Sequence, residues 1–155
     1  MAARFFDEML EGREDGTLTA IEAGQVDVRM IVRDSKYLEE RFPDTDYNYH
    51  DYRDCHIDNF VAAAEALAEY GYYVIRMGQN QKNQMISTHP KIIDYAKNGM
   101  RNDFMDIYLG ANCKFAISTG AGWSAIPHIF RKPVVYVNHA PINHFNLTVG
   151  TDLII

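Results

Sequence analysis

The sequence predicts an α/β domain built on a parallel sheet flanked by helices, and three observations predict it. Residues 26–32 are rich in β-branched side chains and put Val26, Val28, Met30 and Val32 on one face, the two-residue period of a strand. Residues 72–77 (YYVIRM) form an almost continuous apolar run between Gly71 and Gly78, as in a parallel strand covered on both faces. Between the two, Ile57, Phe60, Val61, Ala64, Leu67 and Ala68 recur at helical spacing, with Asp58 in the first turn and Gly71 placed to end the helix. Strands alternating with helices imply right-handed crossovers and a Rossmann-like layout.

The remaining elements follow in order. Residues 2–10 read as a short helix, and Gly12, Gly16 and Gly24 mark a linker. The expected organisation is therefore an N-terminal helix and linker over 1–25 and a Rossmann-like domain over 26–155. The first strand ends at Arg33-Asp34. Residues 35–55 are aromatic and acidic, contain Pro43 and lack a sustained period, which predicts a long loop with short turns, either functional or a family-specific insertion. Beyond a polar loop, Pro90 and Gly99 bracket a predicted helix over 91–98. Asp103 is expected to cap a second short helix through Leu109, closed by Gly110. Residues 114–118 give a third strand, 122–130 a helix and 133–138 a fourth strand. Residues 152–155 read as the start of another buried strand, so the chain is expected to be truncated at its C-terminus.

Composition bounds the function. A chain of 155 residues with 47% hydrophobic and 23% charged residues has the make-up of a folded domain. A net charge of -6 argues against a broad nucleic-acid or anionic-membrane surface, so any phosphate site must be local. No run approaches the ~20 apolar residues of a membrane span. Cys55 and Cys113 form no CxxC pair, which suggests neither a disulfide framework nor a thiolate zinc site. The expected compartment is the cytoplasm, with peripheral attachment at the inner face of the membrane as a variant.

In open parallel sheets ligands sit beyond the carboxyl ends of the strands. The turn Ser118-Thr119-Gly120-Ala121-Gly122 stands at such an end and consists of small residues, whose backbone can approach a ligand and aim N–H groups at an anion. The same composition also serves close helix–strand packing. Arg33 follows the first strand at the same rim and can supply a cation to a diphosphate, or else pair with an acid of the 35–55 segment. Arg76, Gly78 and Asn138 stand at other strand ends, and Trp123 and Ser124 begin the helix after the turn. The run His50-Asp51-Tyr52-Arg53-Asp54-Cys55-His56 holds potential metal ligands, but its spacing is not that of a helical HExxH and Arg53 opposes a cation; a capped loop is the alternative, and no metal is expected. His139 and His144 are a further ligand or acid–base pair, or ordinary loop histidines.

Residues 70–78 (YGYYVIRMG), 103–122 (DFMDIYLGANCKFAISTGAG) and 125–138 (AIPHIFRKPVVYVN), together with RDSKYL and HDYRDCHIDNF, resemble a bacterial family of glycosyltransferases of surface polysaccharide synthesis, related to the GT-B superfamily. The resemblance implies a C-terminal donor-binding half that holds a nucleotide-diphosphate sugar as substrate and needs no cofactor. It also implies a glycan or lipid-linked acceptor gripped by a separate N-terminal half. Family-like roles fall on Arg33 for the diphosphate and on Ser118, Thr119, Gly120 and Gly122 for phosphate contacts; Ala121, Trp123, Ser124, Arg76, Gly78 and Asn138 are candidate donor contacts from their positions alone, with Arg76 skirting the site and Trp123 in core packing as the alternatives. Transfer would be metal-independent, with Asp34 the nearest candidate for a general base. The family pattern often has a histidine two places before the arginine and an aspartate after the turn, where this chain has Ile31 and Ser124. Those departures favour one alternative, a non-catalytic sugar-nucleotide-binding module. An epimerase or pyruvyltransferase of GT-B architecture and a metal-dependent hydrolase are the others.

Overall fold

The computed structural model of the protein describes residues 27–139 and the strand Leu153–Ile154. Residues 1–26, 140–152 and 155, and with them the helix expected over 2–10 and His144, lie outside the described residues. The strands are β1 (Asp27–Ile31), β2 (Tyr73–Met77), β3 (Ile92–Ile93), β4 (Phe115–Ser118), β5 (Val134–Tyr136) and β6 (Leu153–Ile154). The helices are α1 (Lys36–Arg41), α2 (Val61–Glu69), α3 (Asp103–Asn112) and α4 (Ala125–Ile129), with single 3₁₀ segments at Asn48–Arg53, Ile57–Phe60 and Gly122–Ser124.

All strand pairs are parallel and the spatial order is β3-β2-β1-β4-β5-β6, a Rossmann-like sheet. The order reverses between β1 and β4, where Ile31 lies opposite Ser118. Every residue of β1 is buried because helices cover both faces. Val28, Met30, Val32, Val74 and Ile117 pack on one face against Ile57, Phe60, Ala64 and Ala68. Ile31, Ile75, Met77 and Ile93 pack on the other against Met105 and Leu109 of α3. The small Ala64 and Ala68 let α2 lie close to the sheet, and Gly71, with φ +101°, ends that helix in the left-handed conformation that glycine tolerates.

Several expectations need correction. Residues 91–98 are not a helix: Ile92 and Ile93 form β3, in register with Val74 and Ile75, and a turn follows. Two fully buried β-branched residues gain more from sheet pairing than an eight-residue helix would from its propensity. Asn102 rather than Asp103 caps α3, its side chain accepting from the Met105 amide at 2.9 Å. Gly110 does not close α3 but lies inside it, where a Cβ would sit 2.6 Å from Ile126 Cγ2; the glycine lets α3 and α4 touch. The helix over 122–130 is a 3₁₀ turn followed by the five residues of α4. Segment 35–55 is not purely loop, since it contains α1 and the 3₁₀ segment Asn48–Arg53. The strand anticipated near the C-terminus is present as β6.

Candidate functional site

Beyond the carboxyl ends of β1 and β4, at the reversal of strand order, lies a cavity of about 480 Å³. Of the residues singled out from sequence, Arg33, Asp34, Gly78, Gly120, Ala121, Gly122 and Trp123 line it. Its outer wall is built by the 35–55 segment, which contributes Tyr37, Leu38, Tyr47, His50 and Arg53, while α3 and the residue pair before it add Asp106 and Arg101.

The glycine-rich turn forms the floor. Gly120 has φ +82°, and a Cβ there would lie 2.6 Å from Nδ1 of His139, so the histidine ring rests directly on the turn. The hydroxyl groups brace this backbone from behind. Ser118 Oγ accepts from the Gly120 amide at 3.0 Å and is bonded to Ser124 Oγ, which donates to the Ala121 carbonyl at 2.7 Å. Thr119 Oγ1 accepts from the Arg33 amide. Ser118, Thr119 and Ser124 are buried, so they shape the floor from beneath. The Ala121 and Gly122 amides meet no hydrogen-bond acceptor among the described residues, which leaves backbone donors at the floor. Trp123 is fixed by its indole N–H, which donates to the Asp106 carbonyl at 3.2 Å.

The two residues expected to be catalytic are both engaged. Arg33 is buried and its Nη1 donates to the Asp54 carboxylate and to the His50 carbonyl, the latter at 3.2 Å. Burial, and after it the neighbouring Arg53 guanidinium, lower its pKa from the ordinary arginine value. Asp34 accepts from the Lys36 amide at 3.1 Å and the Lys82 amide at 2.9 Å, tying together the segments after β1 and β2.

Arg76 and Asn138 do not line the cavity. Arg76, 1% exposed, donates to Asp94 at 3.1 Å and to the Asn83 carbonyl at 2.6 Å, and it borders a separate cavity of about 130 Å³. Asn138 donates to Cys55 Sγ at 3.1 Å.

The His50–His56 run is organised by guanidinium groups. Arg53 Nη2 lies 2.6 Å from His50 Nδ1, Asp54 serves Arg33, and the Cys55 amide donates to the Arg33 carbonyl at 3.0 Å. Among the described residues no group of three His, Cys, Asp or Glu side chains comes together as a metal site, and no helix is long and apolar enough to cross a membrane.

Sequence reasoning did not single out Arg53, Tyr37, Tyr47, Arg101 or Asp106 as site residues. Asp106 is half-enclosed beside Arg101, whose Nη2 lies 2.7 Å from its Oδ2, yet burial outweighs that partner and raises its pKa above the ordinary aspartate value. Taken together, the cavity offers backbone N–H donors, guanidinium groups and aromatic walls in one crevice, a set suited to a phosphate-bearing ligand with a ring system. No family model matches the chain, and neither a curated protein nor a solved structure matches it.

Proposed function

We propose that this chain is the donor-binding part of a metal-independent glycosyltransferase of polysaccharide or cell-surface glycan synthesis, holding a nucleotide-diphosphate sugar in the crevice between β1 and β4. The observation that carries the reading is the cavity at the strand-order reversal, floored by Gly120-Ala121-Gly122 and walled by Arg33, Arg53, Tyr37, Tyr47 and Trp123. Its volume falls within the usual range of small-ligand sites. The glycosyltransferase part of the reading rests on the sequence resemblance. The acceptor, a glycan or lipid-linked glycan, would be held by another half of the enzyme.

In this reading the floor amides and the guanidinium groups stabilise the negative charge that grows on the departing nucleoside diphosphate. Asp34, with both oxygens committed to backbone amides, positions the rim of the crevice. That commitment also favours the second reading, a sugar-nucleotide-binding module that performs no chemistry.

A thermal-shift panel tests the shared core of both readings. Nucleoside diphosphates and their sugars should stabilise the protein, and nucleosides should not. Ligand at about 100 times its Kd adds about 2.7 kcal/mol, or roughly 5 to 10 °C in Tm. A folded sample that responds to none of the UDP, GDP, ADP, CDP and dTDP series would overturn the proposal. Glycosyl transfer or its absence, assayed with an acceptor-binding half added, separates the two readings.

A further inference from the structure

Arg33 and Arg53 stand close enough for Arg53 to depress the basicity of Arg33, yet they divide their partners unequally. Arg33 is buried and taken up by Asp54 and the His50 carbonyl. Arg53 lines the cavity, and among the described residues no carboxylate forms an ion pair with it. The one hydrogen bond of its guanidinium there is to His50 Nδ1, its Nε has no partner, and the guanidinium lies 5.7 Å from the Tyr52 ring centroid. Asp51 and Asp34 also act on Arg33 through space, but neither forms an ion pair with Arg53, so an anion entering the cavity meets a guanidinium that no carboxylate has taken up.

We propose that Arg53 is the side chain that contacts the ligand's phosphate, and that Arg33 is a positioning residue. Through Asp54 and the His50 carbonyl, Arg33 pins the 3₁₀ segment Asn48–Arg53 against the end of β1 and so holds Arg53 in the wall of the cavity that Ala121 and Gly122 also line. His50 supports the arrangement as a neutral imidazole. Burial, and after it the charges of Arg53 and Arg33, lower its pKa, so Nδ1 remains an acceptor for Arg53. This assignment rests on reading the crevice as a phosphate site, and it goes beyond that reading by naming the cation.

Inorganic pyrophosphate is the probe. By calorimetry the parent protein should bind it, and Arg53→Gln should bind about ten- to a hundred-fold more weakly, as expected for loss of one charge-assisted contact, with Tm unchanged. Arg33→Gln should instead lower Tm, because Asp54 is left without its partner. A second measurement uses the unaltered protein: phenylglyoxal modification mapped by mass spectrometry should label Arg53 in the free protein, lose that label when pyrophosphate is present, and leave Arg33 unlabelled in both cases. If Arg53→Gln does not fold, the labelling map decides. A parent that does not bind pyrophosphate, a folded Arg53→Gln variant that binds it as tightly as the parent, or an Arg53 label indifferent to pyrophosphate would each overturn the assignment. Nucleotide sugars that bind equally well to the Arg53→Gln variant would leave the donor reading standing and remove only Arg53. Pyrophosphate bound through Arg53 with no nucleotide sugar bound would remove the donor reading and leave the assignment of Arg53 standing.

Discussion

The amide of Arg33 donates to Thr119 Oγ1 at 2.8 Å and, beside it, the Thr119 amide donates to the Ile31 carbonyl at 3.2 Å, so the two strand ends on either side of the strand-order reversal are joined through Thr119. Both partners are buried, Thr119 completely. Thr119→Val keeps the shape but removes the acceptor, leaving a buried N–H unpaired, and should destabilise the protein by about 1–3 kcal/mol. Thr119→Ser keeps the oxygen and should lose less. Urea unfolding of both variants checks this, and equal stability losses would mean that the methyl group, not the bond, matters.

Gly110→Ala sets two effects against each other. Alanine improves helix propensity by about 1 kcal/mol, but its Cβ would lie 2.6 Å from Ile126 Cγ2 and 3.2 Å from Trp123 Cζ2. Overpacking of this kind costs about 1–3 kcal/mol, so the variant should be no more stable than the parent and up to ~2 kcal/mol less stable. Adding Ile126→Ala should make the alanine at 110 better tolerated than it is alone, a coupling that a double-mutant cycle in urea measures directly.

The two cysteines should differ in reactivity. Cys113 is buried, its thiol pKa is pushed up to about 11 by desolvation, and Sγ donates to the Gly110 carbonyl at 3.2 Å. At mildly alkaline pH a thiol reagent should label Cys55, which is partly exposed, and reach Cys113 only on unfolding. Labelling of both at one rate in native buffer would contradict this burial.

Asp106 gives a pH dependence whose sign is fixed by its raised pKa. The folded protein holds the proton more tightly than the unfolded chain. The contribution of this group is therefore most favourable below the unfolded aspartate value and declines as pH rises from there through the folded pKa. Asp106→Asn removes the titration. Measured against the parent, the variant should gain relative stability between acid and neutral pH; a relative stability that falls over that interval would show that Arg101 outweighs the desolvation.

Much of this was legible from periodicity. The helix after Ile57 and the run 72–77 carry their patterns locally, and the small residues at 118–122 mark the strand-to-helix turn between β4 and the 3₁₀ segment Gly122–Ser124. β3 was not legible, because two residues display no period and Pro90 and Gly99 punctuate a strand and turn as well as a helix. The wall of the cavity was not legible either. Residues 35–55 acquire their place through long-range ties, Arg33 to Asp54 and Asp34 to the Lys82 amide, for which no local spacing gives a signal. Arg53 was visible only as an obstacle to a metal, since its lack of a carboxylate partner is a property of the folded neighbourhood.

The strand order also dictates when the protein can fold. β1 sits between β2 and β4, so the middle of the sheet closes only after Ile31 has found Ser118, far along the chain. The local β1–α2–β2 unit can form first, but until β4 docks, one backbone edge of β1 stays unpaired. Long-range closure of this kind is slow relative to local structure formation and exposes the intermediate to aggregation. Substitutions in β4 should therefore slow refolding more than those in α2, because the pairing of β1 with β4 closes the longest loop in the sheet.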